Sequence, residues 1–106
     1  MKPIRQWCQE ITRWRERKGF RTPQSLAPGE RELMLGKLML VVSELAEAAE
    51  AVRDGDRANF AEELADTAIR LFDICGACEI DLETEIKAKM KKNESRPTRH
   101  GRGSAL

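Results

Sequence analysis

Two short acidic segments, Glu44-Leu45-Ala46-Glu47 and Glu63-Leu64-Ala65-Asp66, are the parts of this chain best suited to chemistry. Each carries two carboxylates three positions apart. On a helix that spacing puts both on one face, with Cβ atoms about 5–6 Å apart. Like charges at that distance repel, so an isolated helix gains nothing from them, whereas a cation between them reverses the sign of the interaction. The segments flank Asp54-Gly55-Asp56, which reads as a helix stop and turn. With the turn centred near Asp56, antiparallel folding sets Glu44 opposite the neighbourhood of Ala68 and Glu47 opposite that of Ala65. Glu63 and Asp66 lie within about one turn of those positions. Four unpaired negative charges cannot be buried, so they are hydrated, protonated or bound to metal. Facing helices of a bundle can build metal–carboxylate sites of this kind.

The donor types narrow the metal. The only histidine is His100, near the C-terminal end, and no thiol falls on the carboxylate faces. An all-oxygen set points to Mg²⁺, with Mn²⁺ able to replace it, rather than to zinc. Mg²⁺ keeps waters and takes phosphate oxygens, so a phosphate-bearing substrate is expected. The competing reading is that acid pairs arise on solvated faces of a chain that is 35% charged. Glu44 and Glu47 follow directly on the most apolar stretch of the chain, where a solvated face is least expected.

Four helices would position these residues. The first is predicted from Pro3 to Lys18, with Ile4, Trp7, Cys8, Ile11 and Trp14 on one face and Gly19 as the stop. A connector from Gly19 to Gly29 holds Pro23 and Pro28, which exclude a regular helix. The second helix is expected from about Glu30 to Arg53, roughly 36 Å long at 1.5 Å per residue. Its stretch Leu33–Val42 is apolar on nearly every side, which a single small domain can hardly cover, so association between copies through this helix is expected. Asn59 and Glu62 have capping-box spacing and mark the start of a third helix, with Phe60, Leu64, Ala68, Leu71, Phe72, Cys75 and Cys78 as its apolar face. Asp81 suits the cap of a fourth helix, about Leu82 to Asn93. The fold class is therefore all-α, a four-helix bundle associating through the second helix. Residues 1–93 form one helical domain, and 94–106 a basic tail that is either free or a lid over a ligand.

Charge and composition limit the alternatives. Residues 1–22 carry seven Lys/Arg and two acids, residues 23–86 five and fifteen, and residues 87–106 seven and one, giving +5, −10 and +6. An acidic centre with basic ends differs from the uniform basic stripe of a nucleic-acid binder, and no nucleic-acid partner is expected. The longest apolar stretch is too short to span a bilayer, so no membrane partner is expected. Cys8, Cys75 and Cys78, with no signal-peptide pattern, suit a reducing cytoplasm. Cys75 and Cys78 lie in an apolar helical pattern without a second pair to complete a zinc site, and read as packed small residues.

The ordered set of blocks resembles the MazG-like branch of the all-α NTP pyrophosphohydrolases. That family's E-x-x-E, gap and E-x-x-D appear here as Glu44 and Glu47, fifteen residues, then Glu63 and Asp66. The surrounding SELAEAAEAVR and FAEELADTAIRLFDICGACEIDLETEI also fit, and KMKKNESRPTRHG resembles the family's K-M-x-x-N-x-x-R-P ending. The resemblance spans about residues 30–101. It implies a MazG-like four-helix fold in which Glu44, Glu47, Glu63 and Asp66 are the metal ligands and catalytic acids. It also implies that Lys89, Asn93 and Arg96 contact phosphate or nucleoside. The implied reaction is attack of a metal-activated water on the α-phosphorus of a nucleoside triphosphate, releasing pyrophosphate, in a homodimer or homotetramer. Glu50 or Glu62 could help to take the water's proton.

Ser43 stands where many relatives have a further acid. Trp14 and Phe20 could stack a base, whereas Trp7 is expected in the core. Arg70 could touch phosphate or pair with Asp66 or Asp73. The competing class is a non-enzymatic helical interaction module, a regulatory dimer, in which the four acids would be exposed and metal-free.

Overall fold

The computed structural model of the chain describes residues 1–96. Helix α1 runs Ile4–Arg17, α2 Arg31–Arg53, α3 Arg57–Ala77 and α4 Leu82–Glu94. No strand occurs among the described residues. The four expected helices are present, each within two residues of its expected start. None is long and apolar enough to cross a membrane. Pro97 and the remainder of the basic tail, His100 included, lie outside the described residues.

Helix α3 is the spine. α2 packs along one side of it, α1 along another, and α4 rests chiefly on α1. The α2–α3 turn follows from its residues. Asp54 closes α2, Gly55 takes the left-handed conformation at φ 68°, and the Asp56 carboxylate accepts the Asn59 N–H at 3.0 Å. Asp56 is thus the N-cap, and Asn59 lies inside the first turn. The expected cap at Asn59 is corrected to Asp56, three positions earlier, because that aspartate already satisfies the Asn59 amide.

The α3–α4 junction carries no glycine. Glu79 itself adopts φ 55°, and the Ile80 N–H returns to the Cys75 carbonyl at 2.9 Å, closing the helix as a glycine would. Asp81 caps α4 through the Thr84 N–H at 3.2 Å and takes Arg5 of α1 at 2.8 Å. The Thr84 amide first, then Arg5, hold its carboxyl below the usual value.

The α1–α3 seam is fixed by a buried acid. Asp73, 9% exposed, accepts the Thr12 hydroxyl at 3.1 Å, Arg15 Nε at 3.0 and 3.1 Å, and the buried Thr22 hydroxyl at 2.7 Å. Arg15 also donates to the Phe20 carbonyl at 3.1 Å, so α1 and the connector dock together. Cys8, Ile74, Cys75 and Ala77 fill the seam. Burial, and to a lesser degree the neighbouring Cys75, push the Cys8 thiol up to about 11. Trp7, expected in the core, is 46% exposed: it lies along an open apolar groove of about 560 Å³ with Trp14, Ala68, Ile69 and Phe72, under the ammonium of Lys2. Its spacing reported the inward side of α1 correctly, but among the described residues no further element closes over that side.

On α2, Leu33, Leu35, Leu38, Met39, Leu40, Val42 and Leu45 are between 39 and 61% exposed. Water is a poor partner for an apolar stripe of that extent.

Gly76 sits at a close approach of α1 and α3. A Cβ there would lie 2.5 Å from the Cys8 carbonyl oxygen and would also meet the Thr12 side chain. Backbone cannot yield as a flexible side chain does. Gly76→Ala should therefore destabilise the protein by about 1–3 kcal/mol, the usual range for overpacking, despite the better helix propensity of Ala. The shift in urea midpoint measures it.

Candidate metal centre

The α2–α3 hairpin brings three of the four acids together and leaves Glu47 outside the group. Glu44, Glu63 and Asp66 each offer a carboxylate oxygen within 4.8 Å of the others. Glu44 and Glu63 are half-buried and Asp66 is exposed. Glu47, one turn beyond Glu44, is exposed and lies outside this group of three. Its charge still acts on Glu63, so it stands at the edge of the cluster. Glu50 and Glu62 are exposed as well.

The electrostatics show the strain of this arrangement. The pKa of Glu63 is raised, first by partial loss of hydration in the hairpin and then by a hydrogen bond to Asp66 that favours its protonated form. The charges of Glu44, Asp66 and Glu47 add to the effect. Among the described residues one of the four acids has a cationic partner: Arg70 Nε donates to Glu44 Oε1 at 3.1 Å. Arg70 thus pairs with neither Asp66 nor Asp73, the two partners weighed from the sequence. Asp73 is taken by Arg15, and Glu44 reaches Arg70 across the hairpin. Three converging oxygens with excess negative charge, joined by no imidazole or thiolate among the described residues, fit a hard divalent cation.

A second cavity adjoins this cluster. About 360 Å³ in volume, it is lined by Trp14 and Phe20 from α1 and the connector, Lys37 and Leu40 from α2, and Ile69 and Arg70 from α3. Trp14 is 48% and Phe20 68% exposed, so both rings offer surface to a ligand. Lys37 was missed in the sequence, where it appears only as a break in the apolar run Leu33–Val42.

Lys89 and Asn93 lie on α4 and Arg96 just beyond it; Lys89 and Arg96 are exposed and Asn93 half-buried. No hydrogen bond or ion pair among the described residues joins them to the carboxylates. The end of α3, from which α4 departs, is about 17 Å along the helix axis from Asp66 at 1.5 Å per residue.

The family model of the MazG nucleotide pyrophosphohydrolase domain matches residues 35–100, more than half of the chain. The chain belongs to that family. The MazG match takes in Glu44, Glu47, Glu63, Asp66, Lys89, Asn93 and Arg96, whereas α1 with Trp14 lies outside it. Comparisons with curated proteins and with solved structures returned no match.

Because Glu63 binds its proton more tightly in the folded chain than in the unfolded one, the folded state is favoured below the ordinary carboxylate value of 4.5. That advantage is lost as pH rises through the raised value. Without metal, Glu63→Gln should therefore gain stability relative to wild type as pH rises from 4.5 into the neutral range. Millimolar Mg²⁺ should reverse the order, because only the carboxylate can be stabilised by the cation. Thermal melts of the two proteins across pH, with and without Mg²⁺, test both statements.

Proposed function

We propose that this MazG-family chain is a Mg²⁺-dependent nucleoside triphosphate pyrophosphohydrolase that converts (d)NTP and water to (d)NMP and pyrophosphate, acting in nucleotide-pool housecleaning. Mn²⁺ can replace Mg²⁺. The observation that carries this reading is the convergence of Glu44 from one helix with Glu63 and Asp66 from the next, within 4.8 Å. A regulatory module without chemistry gains nothing from that cluster and is disfavoured by its cost.

Glu44, Glu63 and Asp66 would hold the ion, with Glu47 the fourth acid within reach of the same face. A bound divalent cation supplies a water of lowered pKa and neutralises triphosphate charge. The chain's own residues do the rest. Half-burial of Glu44 and Glu63 limits competing water. A glutamate in or beside the set takes the proton of the attacking water, Glu50 and Glu62 being the exposed acids that flank it. Trp14 supplies an aromatic face for the base, a role its place in the 360 Å³ cavity supports. Lys89, Asn93 and Arg96, on α4 and just beyond it, bind substrate by the family pattern. The three thiols, two of them buried, suit a cytoplasmic setting.

Turnover of a panel of nucleoside triphosphates with Mg²⁺, scored for monophosphate and pyrophosphate, tests the activity. Glu47→Gln and Asp66→Asn should each lower kcat by orders of magnitude with the fold retained by circular dichroism; full activity in either overturns the ligand set. Lys89→Ala, Asn93→Ala and Arg96→Ala should each raise KM or lower kcat by roughly tenfold, as loss of a charge-assisted hydrogen bond does. A protein truncated after Met90 that keeps wild-type turnover would remove α4 from the site.

The open apolar stripe of α2 supports association as a homodimer or homotetramer. Sedimentation at micromolar concentration should give a species heavier than the 12.0 kDa chain. Leu35→Glu or Met39→Glu, on the most exposed part of the stripe, should shift it toward monomer.

A further inference from the structure

The geometry points to Arg70 as a residue with two alternative partners: it holds Glu44 when the carboxylate cluster is without metal, and serves the phosphates of the nucleotide once Glu44 turns to a cation. This deepens, and rests on, the pyrophosphohydrolase reading. Arg70 lies one turn beyond Asp66 on α3, yet its Nε reaches across to Glu44 Oε1 at 3.1 Å. It is also a wall of the cavity that holds Trp14, Phe20 and Lys37. The same guanidinium therefore borders the acids on one side and the ligand cavity on the other.

Charge decides when it changes partner. With no cation present, Arg70 is the one positive group bonded to the cluster among the described residues, and Glu44, with its side chain 17% exposed, is the acid it neutralises. A carboxylate that shares its charge with a divalent ion pulls less on a guanidinium. The Arg70 side chain is 42% exposed and no other ion pair among the described residues holds it, so it is free to turn. The cavity has two aromatic faces and three cations; Arg15 is spent on Asp73 in the same wall, which leaves Lys37 and Arg70 to meet an aromatic anion. Guanidinium presents paired donors to phosphate oxygens. Arg70 thereby couples the two binding events: metal frees the group that the triphosphate needs, and in its absence Arg70 competes with metal for Glu44.

The coupling predicts effects of opposite sign in one variant. The probes are Mn²⁺ alone, and tripolyphosphate in saturating Mg²⁺, which carries phosphate charge without a base; both are titrated calorimetrically on the full chain. Arg70→Gln should bind Mn²⁺ about two- to fivefold more tightly, the range of a partly exposed ion pair released. It should bind tripolyphosphate roughly tenfold or more weakly, as loss of a charge-assisted bond does. Lys37→Gln controls for general charge, because Lys37 makes no bond to the acids: it should weaken tripolyphosphate and leave Mn²⁺ unchanged. Arg70→Gln that weakens both ligands would make Arg70 a brace for Glu44, and one that leaves either affinity unchanged would remove the coupling. Equal tightening of Mn²⁺ by Lys37→Gln would mean that only bulk charge is read. Each of these results overturns the proposal. If wild type takes up no Mn²⁺, the metal reading itself fails, a result distinct from any of them.

Discussion

A carboxylate that cannot reach bulk water must find donors, and Asp73 finds them in three places along the chain. Thr12 and Arg15 come from α1 and Thr22 from the connector, so the requirement of one buried charge fixes how the first quarter of the protein lies on α3. Taking one partner from a buried pair typically costs about 3–5 kcal/mol, because the remaining charge stays uncompensated. The same bonds set the position of the 360 Å³ cavity. Arg15 grips the Phe20 carbonyl, and Trp14 is its neighbour on α1, so both aromatic rings are brought to the wall they share with Lys37 and Arg70. Gly76 completes the seam by allowing the two backbones to approach without a side chain between them.

Helix α3 therefore does two incompatible things on different sides. Toward α1 it is stabilising: paired charge, buried thiols and close backbone contact. Toward α2 it gathers Glu63 and Asp66 against Glu44, an arrangement that raises the energy of the chain until something positive arrives. The stable side makes the unstable one tolerable. Such a division is expected where a folded scaffold must hold like charges in place for binding rather than for its own stability.

Much of this is legible in the sequence because it depends on local period. The four helices, the α2–α3 turn, the Asp81 cap and the convergence of acids across the hairpin all follow from spacing and turn chemistry. What escapes depends on distance in sequence or on rotamer. Arg70 and Glu44 are 26 residues apart, and no local rule joins them. Glu47 shares the face of Glu44, but helix period does not say whether its carboxylate turns inward. Asp73 looks like a surface charge until Thr12, Arg15 and Thr22 are seen around it. Glu79 takes a left-handed conformation that residue type would have assigned to glycine. Trp7 has the spacing of a core residue on a helix whose outer groove none of the described residues covers. The place of Lys89, Asn93 and Arg96 relative to the acids is legible only through the family pattern, because α4 rests on α1 and takes no direction from the hairpin.

The buried thiol of Cys8 has a chemical consequence. With its proton held to about 11, the thiolate is on the order of one part in ten thousand at neutral pH. Peroxides and electrophiles react with thiolate, so this buried sulfur is nearly inert while the chain is folded. Its partner Cys75 is likewise raised by burial. Alkylation or oxidation at this seam must wait for α1 to lift away from α3. The rate at which these two sulfurs can be modified is therefore a direct clock for that opening.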